Sequence, residues 1–165
     1  MSKFRALALG MLGVLGLVLL LLVLFSGNAS AADSGPLEYV GDAELAQAEI
    51  DGECTGSGTA LDPYIFIDYN FECTSSAYGI WIKDTTSYVV IDNCTFLNCT
   101  VTSADVRGYA VYLQNVSHAI VRGNEFSNVN YGIFLSGSNN CTLIGNDLDS
   151  VVTVGISISQ SYWII

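Results

Sequence analysis

Two aspartates, Asp68 and Asp92, come closest to a pair of residues that could do chemistry. They follow Ile67 and Ile91 in two matching phrases of the sequence, so we expect them to point outward at the same position of successive repeats. Glycoside hydrolysis needs two carboxyl groups about 5 to 9.5 Å apart across one groove. Arg122 occupies the same position in the following repeat, where it would neutralise Asp92. The pair is therefore a weak candidate for a catalytic acid and base.

The basic residues that a polysaccharide lyase would need are scarce. Beyond residue 31 the sequence carries only Lys83, Arg107 and Arg122 against 16 acidic residues, a net charge of about −13. A chain this acidic repels anionic polymers, nucleic acid and anionic lipid surfaces. The composition therefore argues against a lyase and predicts no nucleic-acid partner.

Metal ligands are also few. Copper needs Met, Cys or His ligands, but His118 is the sole histidine and both methionines lie in the first 31 residues. No Cys and His spacing is typical of zinc. Calcium could bind carboxylates such as Asp68 and Asp92, although no repeated Asp-rich loop specifies it. We predict no cofactor, with calcium left open.

These candidate residues belong to a sequence that repeats itself. One phrase occurs four times, as Ile67-Asp68-Tyr69-Asn70, Ile91-Asp92-Asn93-Cys94, Val121-Arg122-Gly123-Asn124 and Leu143-Ile144-Gly145-Asn146. A second phrase begins at Tyr109, recurs 22 residues later at Tyr131, and recurs 23 residues after that at Val154. A fixed period of this size, filled with short alternating strands, is typical of a solenoid.

Within each repeat, apolar and polar residues alternate in three short segments. Three strands per coil, each with one apolar face, close into a triangular prism in which matching side chains stack about 4.8 Å apart. One inward column should contain Ile80, Val111, Ile133 and Ile156. The sequence thus predicts an all-β parallel β-helix solenoid of about four coils over residues 58–165. Because the sequence ends inside a strand, we expect the domain to be incomplete at its C-terminus.

Asparagines recur where the predicted coils bend. Asn70, Asn124 and Asn146 share one position of the repeat, and Cys94 stands there in the remaining coil. Asparagine tolerates the left-handed backbone conformation and can bond neighbouring main-chain groups at a bend. Stacked asparagines also hydrogen-bond one another. We therefore interpret these three residues as a structural ladder.

Aromatic side chains recur on the outside of the predicted coils. Trp81, Tyr112 and Phe134 occupy one matching outward position over three coils, and Ser157 follows on the next. An exposed apolar stripe is costly to leave bare. Either another segment covers it, or it is a platform for sugar rings or a partner chain. These three residues are our candidate binding site.

The first residues are typical of an export signal. Lys3 and Arg5 precede an uncharged apolar run over residues 6–25, and Ala29-Ser30-Ala31 matches a cleavage site. The run is also long enough to span a membrane. We predict that residues 1–31 are a signal peptide or an uncleaved membrane anchor. Both alternatives place the remainder outside the cytoplasm or on the cell surface.

Residues 32–57 show no strand pattern, and we expect them to form a linker and an N-terminal cap. A stack of coils has an open apolar end that needs a polar lid. The sequence beyond residue 31 contains five cysteines, an odd number for an exported chain. We predict a disulfide between Cys54 and Cys73, because it would tie the cap to the first coil.

Four Asn-x-Ser/Thr sequences lie in the predicted β-helix, at Asn93, Asn98, Asn115 and Asn140. Chance alone gives a few such sequences in a chain rich in Asn and Thr, so each one is a weak signal. Their number in an exported domain nevertheless favours a glycosylated surface protein, and we expect the glycans on Asn115 and Asn140.

The pattern Ile-x-x-Asn-x-Phe, followed after a gap by Tyr-Gly-Ile-x-Leu, resembles the right-handed parallel β-helix repeats of the pectin-lyase-like superfamily. The closer resemblance is to its carbohydrate-binding and sugar-hydrolase repeat group, which includes NosD-like proteins. The opening Gly58-Thr59-Ala60-Leu61-Asp62-Pro63-Tyr64-Ile65 looks like the start of this domain in secreted archaeal and bacterial surface proteins. The resemblance covers roughly residues 56–165 and implies a right-handed fold. It does not imply one activity, because the scaffold hosts lyases, hydrolases, adhesins and inert spacers.

Together these features predict an exported cell-surface or extracellular β-helix protein. We expect a structural or weak carbohydrate- or partner-binding module without catalysis in this segment. Its partner would be a polysaccharide or a cell-surface protein, and only an uncleaved N-terminal helix would contact the membrane. The alternative is a fragment of a polysaccharide-active hydrolase or lyase whose site lies partly on missing coils.

Overall fold

In a computed structural model of the protein, residues 33–165 are described, apart from Ser75 and residues 102–106. The predicted signal peptide or membrane anchor, residues 1–31, lies outside the described residues. Among the residues that are described, no helix is both long and apolar enough to cross a membrane.

The described chain is a succession of short strands with one helix, α1, near its beginning. Helix α1 spans Gly41–Ile50 and lies between the second and third strands. The strands are β1 (Asp33–Ser34), β2 (Leu37–Val40), β3 (Tyr64–Ile67), β4 (Asn70–Glu72), β5 (Tyr78–Thr85), β6 (Val89–Asp92), β7 (Thr95–Leu97), β8 (Tyr109–Val116), β9 (Ala119–Arg122), β10 (Glu125–Ser136), β11 (Asn139–Ile144), β12 (Asp147–Ser159) and β13 (Tyr162–Ile164).

Every pairing between these strands is parallel, and each strand pairs with strands one turn of the repeat away. A five-stranded sheet runs in the order β13-β11-β9-β6-β3. An eight-stranded sheet runs β1-β4-β7-β10-β8-β5-β2, with β12 also paired to β10. The long strands β10 and β12 pass round a corner, so each contributes to two faces of the coil. The chain is therefore a parallel β-helix, as the repeat predicted.

One column of inward side chains runs through the stack as predicted, with one exception. Strand register aligns Ile80, Val111, Ile133 and Ile156. The first three are completely buried. Ile156 is 43% exposed because β12 pairs with β10 and with no other described strand.

A second inward column consists of phenylalanine rings. Phe71, Phe96 and Phe126 are aligned on β4, β7 and β10. Their ring centroids are 4.8 Å and 5.0 Å apart and their planes are nearly parallel. These distances are close to the spacing of paired strands, about 4.8 Å, so backbone pairing and ring stacking reinforce each other.

The corners of the coils need residues with positive φ, a conformation that only Gly, Asn and Asp adopt readily. One corner follows the strands of the five-stranded sheet and is occupied in successive coils by such residues. They are Asp68, Asn93, Gly123 and Gly145, with φ between 51° and 63°.

The predicted asparagine ladder is correct for Asn124 and Asn146 but wrong for Asn70. Asn70 pairs with Thr95 on the next coil, so Tyr69 is the residue aligned with Cys94. The reason is a shift of one residue in the first coil. Phe66, not Ile67, is the buried residue there, and Ile67 is 46% exposed. Because side chains alternate along a strand, a shift of one residue reverses the face on which every side chain lies.

Asn124 is the centre of the remaining ladder and is completely buried. Its amide nitrogen donates to the carbonyl of Ile91 at 3.1 Å and to Asn146 Oδ1 at 2.9 Å. Its Oδ1 accepts a hydrogen bond from the backbone N–H of Cys94 at 2.8 Å. Asn124 therefore satisfies buried main-chain groups at a corner where the strand ladder cannot reach them.

The predicted disulfide between Cys54 and Cys73 is wrong, because Cys73 bonds Cys99 instead. Cys73 follows β4 and Cys99 follows β7, which are paired strands, so the two Cα atoms are only 4.6 Å apart. Cys54 is a buried free thiol whose Sγ lies 3.9 Å from the carbonyl of Leu45 in α1. The disulfide therefore links two stacked coils and does not tie the N-terminal segment to the first one.

Helix α1 is attached to the strands through its first turn. Asp42 accepts hydrogen bonds from the backbone N–H of Ser87 at 3.3 Å, from its hydroxyl at 2.9 Å, and from the hydroxyl of Thr85. These bonds hold the pKa of Asp42 below its usual value, Thr85 contributing most. Leu45 and Ala48 on the inner side of the helix are buried against the core.

We predict that Asn124→Ala lowers the free energy of unfolding by about 2 to 4 kcal/mol, because it leaves two buried main-chain groups without partners. The matched control is Asn128→Gly, which removes an exposed amide that donates to Asn98 Oδ1 at 2.6 Å and keeps a residue that tolerates the φ of 53° at this position. The control should lose less than about 1 kcal/mol. Urea unfolding of the three proteins measures both values, and equal losses would contradict the role of Asn124.

We also predict that peptide mapping recovers a Cys73–Cys99 disulfide and three free thiols. Burial raises the pKa of Cys54 to about 12 and that of Cys94 to about 11, and it also raises the pKa of Cys141. At about pH 8 all three thiols are protonated in the folded protein, and only a thiolate reacts readily with an alkylating agent. Labelling should therefore be slow before unfolding and complete after it. A labelled Cys99 would contradict the assigned pairing.

Candidate aromatic binding face

Six aromatic side chains gather on one outer face of the β-helix. They lie in pairs on the three neighbouring strands β5, β8 and β10, because the residues between them turn inward. Strand register arranges them in two columns of three. We call this surface the aromatic face; it consists of Tyr78, Tyr109 and Tyr131 in one column and Trp81, Tyr112 and Phe134 in the other.

The structure brings the three predicted residues into one column in contact. The rings of Trp81 and Tyr112 are 5.0 Å apart and nearly parallel, at 8°, whereas Tyr112 and Phe134 are 5.1 Å apart and tilted by 44°. Phe134 also stacks on Tyr109 of the other column at 4.9 Å and 11°. All six rings are half-buried, because each covers part of its neighbours.

Sequence reasoning missed the tyrosine column. Its signal was visible, because a tyrosine opens each of three successive repeat phrases at Tyr78, Tyr109 and Tyr131. The outward direction that they share with the Trp81 column follows only from the register, which places the two columns side by side.

One end of the aromatic face carries an ion pair. Lys83 Nζ lies 3.9 Å from the ring centroid of Trp81 and 2.5 Å from Glu38 Oε1. The hydroxyl of Tyr78 donates to Glu38 Oε2 at 2.5 Å. The bond from Lys83 and then that from Tyr78 lower the pKa of Glu38. Burial and, after it, the Glu38 hydrogen bond raise the pKa of Tyr78 to about 12, so this phenol remains a neutral donor.

The other end of the face carries a second cation. A guanidinium nitrogen of Arg107 donates a hydrogen bond to the hydroxyl of Tyr131 at 3.4 Å. Lys83 and Arg107 are two of the three basic residues beyond residue 31. The aromatic face therefore combines ring surfaces with hydrogen-bond donors, on a chain that is otherwise strongly acidic.

The indole N–H of Trp81 is buried and has no acceptor among the described residues. An unpaired buried donor costs about 1 to 3 kcal/mol. Trp81 is therefore held in place by its contacts with Tyr112, Tyr78 and the Lys83 ammonium rather than by a hydrogen bond of its own.

The aspartate pair does not have the predicted arrangement. Ile67 is the residue that pairs with Asp92, so Asp68 lies one position further on, at the corner. Asp68 accepts a hydrogen bond from the amide of Asn93 at 2.7 Å. Asp92 accepts two from Arg122, at 2.6 Å and 2.9 Å, as the sequence predicted. Each carboxylate is therefore engaged in a structural contact between coils.

The side chains that most often hold metal ions do not cluster in the described part of the chain. Among the described residues there is no group of three or more His, Cys, Asp or Glu side chains placed to hold an ion. His118 instead stacks on Tyr88, with ring centroids 4.3 Å apart and planes 11° from parallel. Calcium binding at Asp68 and Asp92 stays a prediction.

The four predicted glycosylation sites all lie at corners. Each asparagine has a positive φ, between 51° and 56°, and each is followed by a completely or almost completely buried side chain. The sites are Asn93, Asn98, Asn115 and Asn140, and the buried residues after them are Cys94, Cys99, Val116 and Cys141.

Comparison with known proteins agrees with this architecture. A family model described as the right handed beta helix region matches residues 54–165. No curated protein and no solved structure matches the chain. The family match covers more than half of the chain and the same segment that forms the stacked parallel coils. The chain belongs to the right-handed β-helix family.

Proposed function

We propose that this protein is exported and that its aromatic face binds carbohydrate at the cell surface or outside the cell, without catalysing a reaction in this segment. The observation that carries the proposal is the set of six half-buried rings in register on three successive strands. Within the right-handed β-helix family, we place the chain in the pectin-lyase-like group with NosD-like carbohydrate-binding repeats.

The geometry of the aromatic face suits sugar rings. A pyranose presents a flat apolar side that packs on an aromatic ring and a rim of hydroxyl groups that needs polar partners. The tyrosine hydroxyls, Lys83 and Arg107 supply such partners at the edges of the face. At about 1 kcal/mol for each ring contact, a short glycan would bind with a dissociation constant of roughly a millimolar.

Two observations support export. The disulfide between Cys73 and Cys99 is of a kind that persists in oxidising compartments and is rare in the cytosol. The sequence also begins with two basic residues and an apolar run over residues 6–25, which is typical of an export signal.

The contacts of the acidic residues support a module that binds without turnover. Asp92 is neutralised by Arg122 and Asp68 occupies a corner position, so neither carboxylate faces a free groove as an acid or a base. Hydrolysis would need two such carboxylates about 5 to 9.5 Å apart with substrate between them.

The test is a titration of the full-length exported protein with neutral and acidic oligosaccharides, followed by calorimetry. We expect millimolar binding of at least one glycan, weakened about fivefold or more in Trp81→Ala and in Phe134→Ala, since about 1 kcal/mol corresponds to that factor. The matched control is Tyr88→Ala, which removes a half-buried ring that stacks on His118 and is not part of the aromatic face. It should leave binding unchanged.

Three results would contradict the proposal. The first is that no glycan binds, whereas another protein binds the wild type and not Trp81→Ala. The ligand of the aromatic face would then be a partner chain and not a glycan. Equal weakening in Tyr88→Ala would show a loss of stability rather than of contacts. Release of sugar products, abolished in Asp92→Asn, would establish a polysaccharide-active hydrolase instead.

A further inference from the structure

The glycosylation motif recurs in this chain because the fold calls for it. At a corner, Asn or Asp readily takes the left-handed conformation, the next residue points into the core, and the one after it returns to the outer face. Asn93-Cys94-Thr95 and Asn140-Cys141-Thr142 have this arrangement, with both cysteines buried. The motif alone therefore does not tell which asparagine is modified.

Three of the four asparagines are occupied by contacts with the preceding coil. Asn93 Nδ2 donates to Asp68 Oδ1 at 2.7 Å and Asn98 Nδ2 to Glu72 Oε1 at 2.8 Å. Asn115 makes the same kind of contact, because its Nδ2 donates to Asp84 Oδ1 at 2.9 Å. A sugar on any of these nitrogens would compete with a carboxylate for the same space.

Asn140 is different. It is exposed, and its side-chain amide has no hydrogen-bond partner among the described residues. Its counterpart on the preceding coil is His118, since Ser117 bridges to Asn139. His118 is not a carboxylate and is already stacked on Tyr88. Nothing described on that side holds the Asn140 amide.

On its other side, Asn140 adjoins two exposed aromatic rings. Tyr162 is aligned with Asn139, so Trp163 follows at the corner beside Asn140. Tyr162 is 67% and Trp163 is 76% exposed, and Trp163 has a φ of 50°, a rare conformation for so large a residue. Together with Ser117 they border an open groove of about 540 Å³, which is in the size range of ligand sites.

We propose that Asn140 is the glycosylated residue of this chain and that the first sugar of its glycan packs on Trp163. The inference rests on the proposed export, since the donor is a lipid-phosphate-linked oligosaccharide and the transferase acts outside the cytoplasm. Asn140 Nδ2 forms a bond to the anomeric carbon while that carbon's bond to the phosphate oxygen breaks. The lipid phosphate leaves with the electron pair, and a base of the transferase takes the amide proton.

The first experiment expresses the full chain in a host that exports and N-glycosylates proteins, and maps occupancy of all four sites by mass spectrometry. We expect the highest occupancy at Asn140. Asn140→Gln should remove most of the glycan mass, whereas the matched variant Asn115→Gln should retain it. Exported protein with Asn140 unmodified would overturn this inference alone. Protein retained in the cytoplasm with Cys73 and Cys99 reduced would overturn the proposed export and this inference with it.

The second experiment tests the contact with Trp163, which lies outside the Asn140-Cys141-Thr142 motif. Tm is measured for the exported wild type, Asn140→Gln, Trp163→Ala and the double variant. If sugar and indole are in contact, loss of the glycan should lower Tm by about 2 to 4 °C in the wild type and by less in Trp163→Ala. The same four proteins from a host without N-glycosylation should show additive effects. Additive effects in both hosts would overturn the contact.

Discussion

Parallel pairing of each coil with the next is the constraint on which the rest of this structure depends. Backbone hydrogen bonds set a spacing of about 4.8 Å between coils, and that spacing is also favourable for stacked planar groups. Side chains at one position of the repeat must therefore contact one another. Inside the β-helix, this contact produces the phenylalanine column. At a corner it produces the hydrogen bond between Asn124 and Asn146, and on the outer surface it produces the stacked rings of the aromatic face. A single register accounts for all three.

The corners impose a second constraint, which explains where the polar chemistry of the chain lies. A left-handed residue is needed at each bend, so Asn, Asp and Gly accumulate there for conformational reasons. Asp68 and Asp84 are corner residues, and each accepts an amide hydrogen bond from the asparagine above it. Acidic residues and Asn-x-Thr motifs at such positions are therefore explained by the fold before any function is invoked.

Sequence reasoning succeeded where apolar and polar residues alternate clearly along a strand. It failed where several consecutive residues are all apolar. The column containing Ile80, Val111 and Ile133 was predictable because polar residues separate the inward ones. In Tyr64-Ile65-Phe66-Ile67 every residue is apolar, so alternation cannot set the phase, and packing of Phe66 decides it. That shift misplaced both Asn70 and Asp68. The Cys73–Cys99 disulfide was likewise invisible, because it follows from the register of β4 and β7 rather than from sequence distance.

The aromatic residues of the aromatic face are not explained by the need to fill the core, unlike the residues of the buried columns. An outward position of a β-helix accepts polar side chains, as Ser157 shows in the same column as Phe134. Ring contacts of about 0.5 to 1.5 kcal/mol each do stabilise the stack. The same contacts fix the rings before a ligand arrives, so binding would not have to order six separate side chains. A half-buried surface whose rings hold one another in place, bordered by Lys83 and Arg107, is thus consistent with the weak, repeated contacts with a sugar chain that we propose.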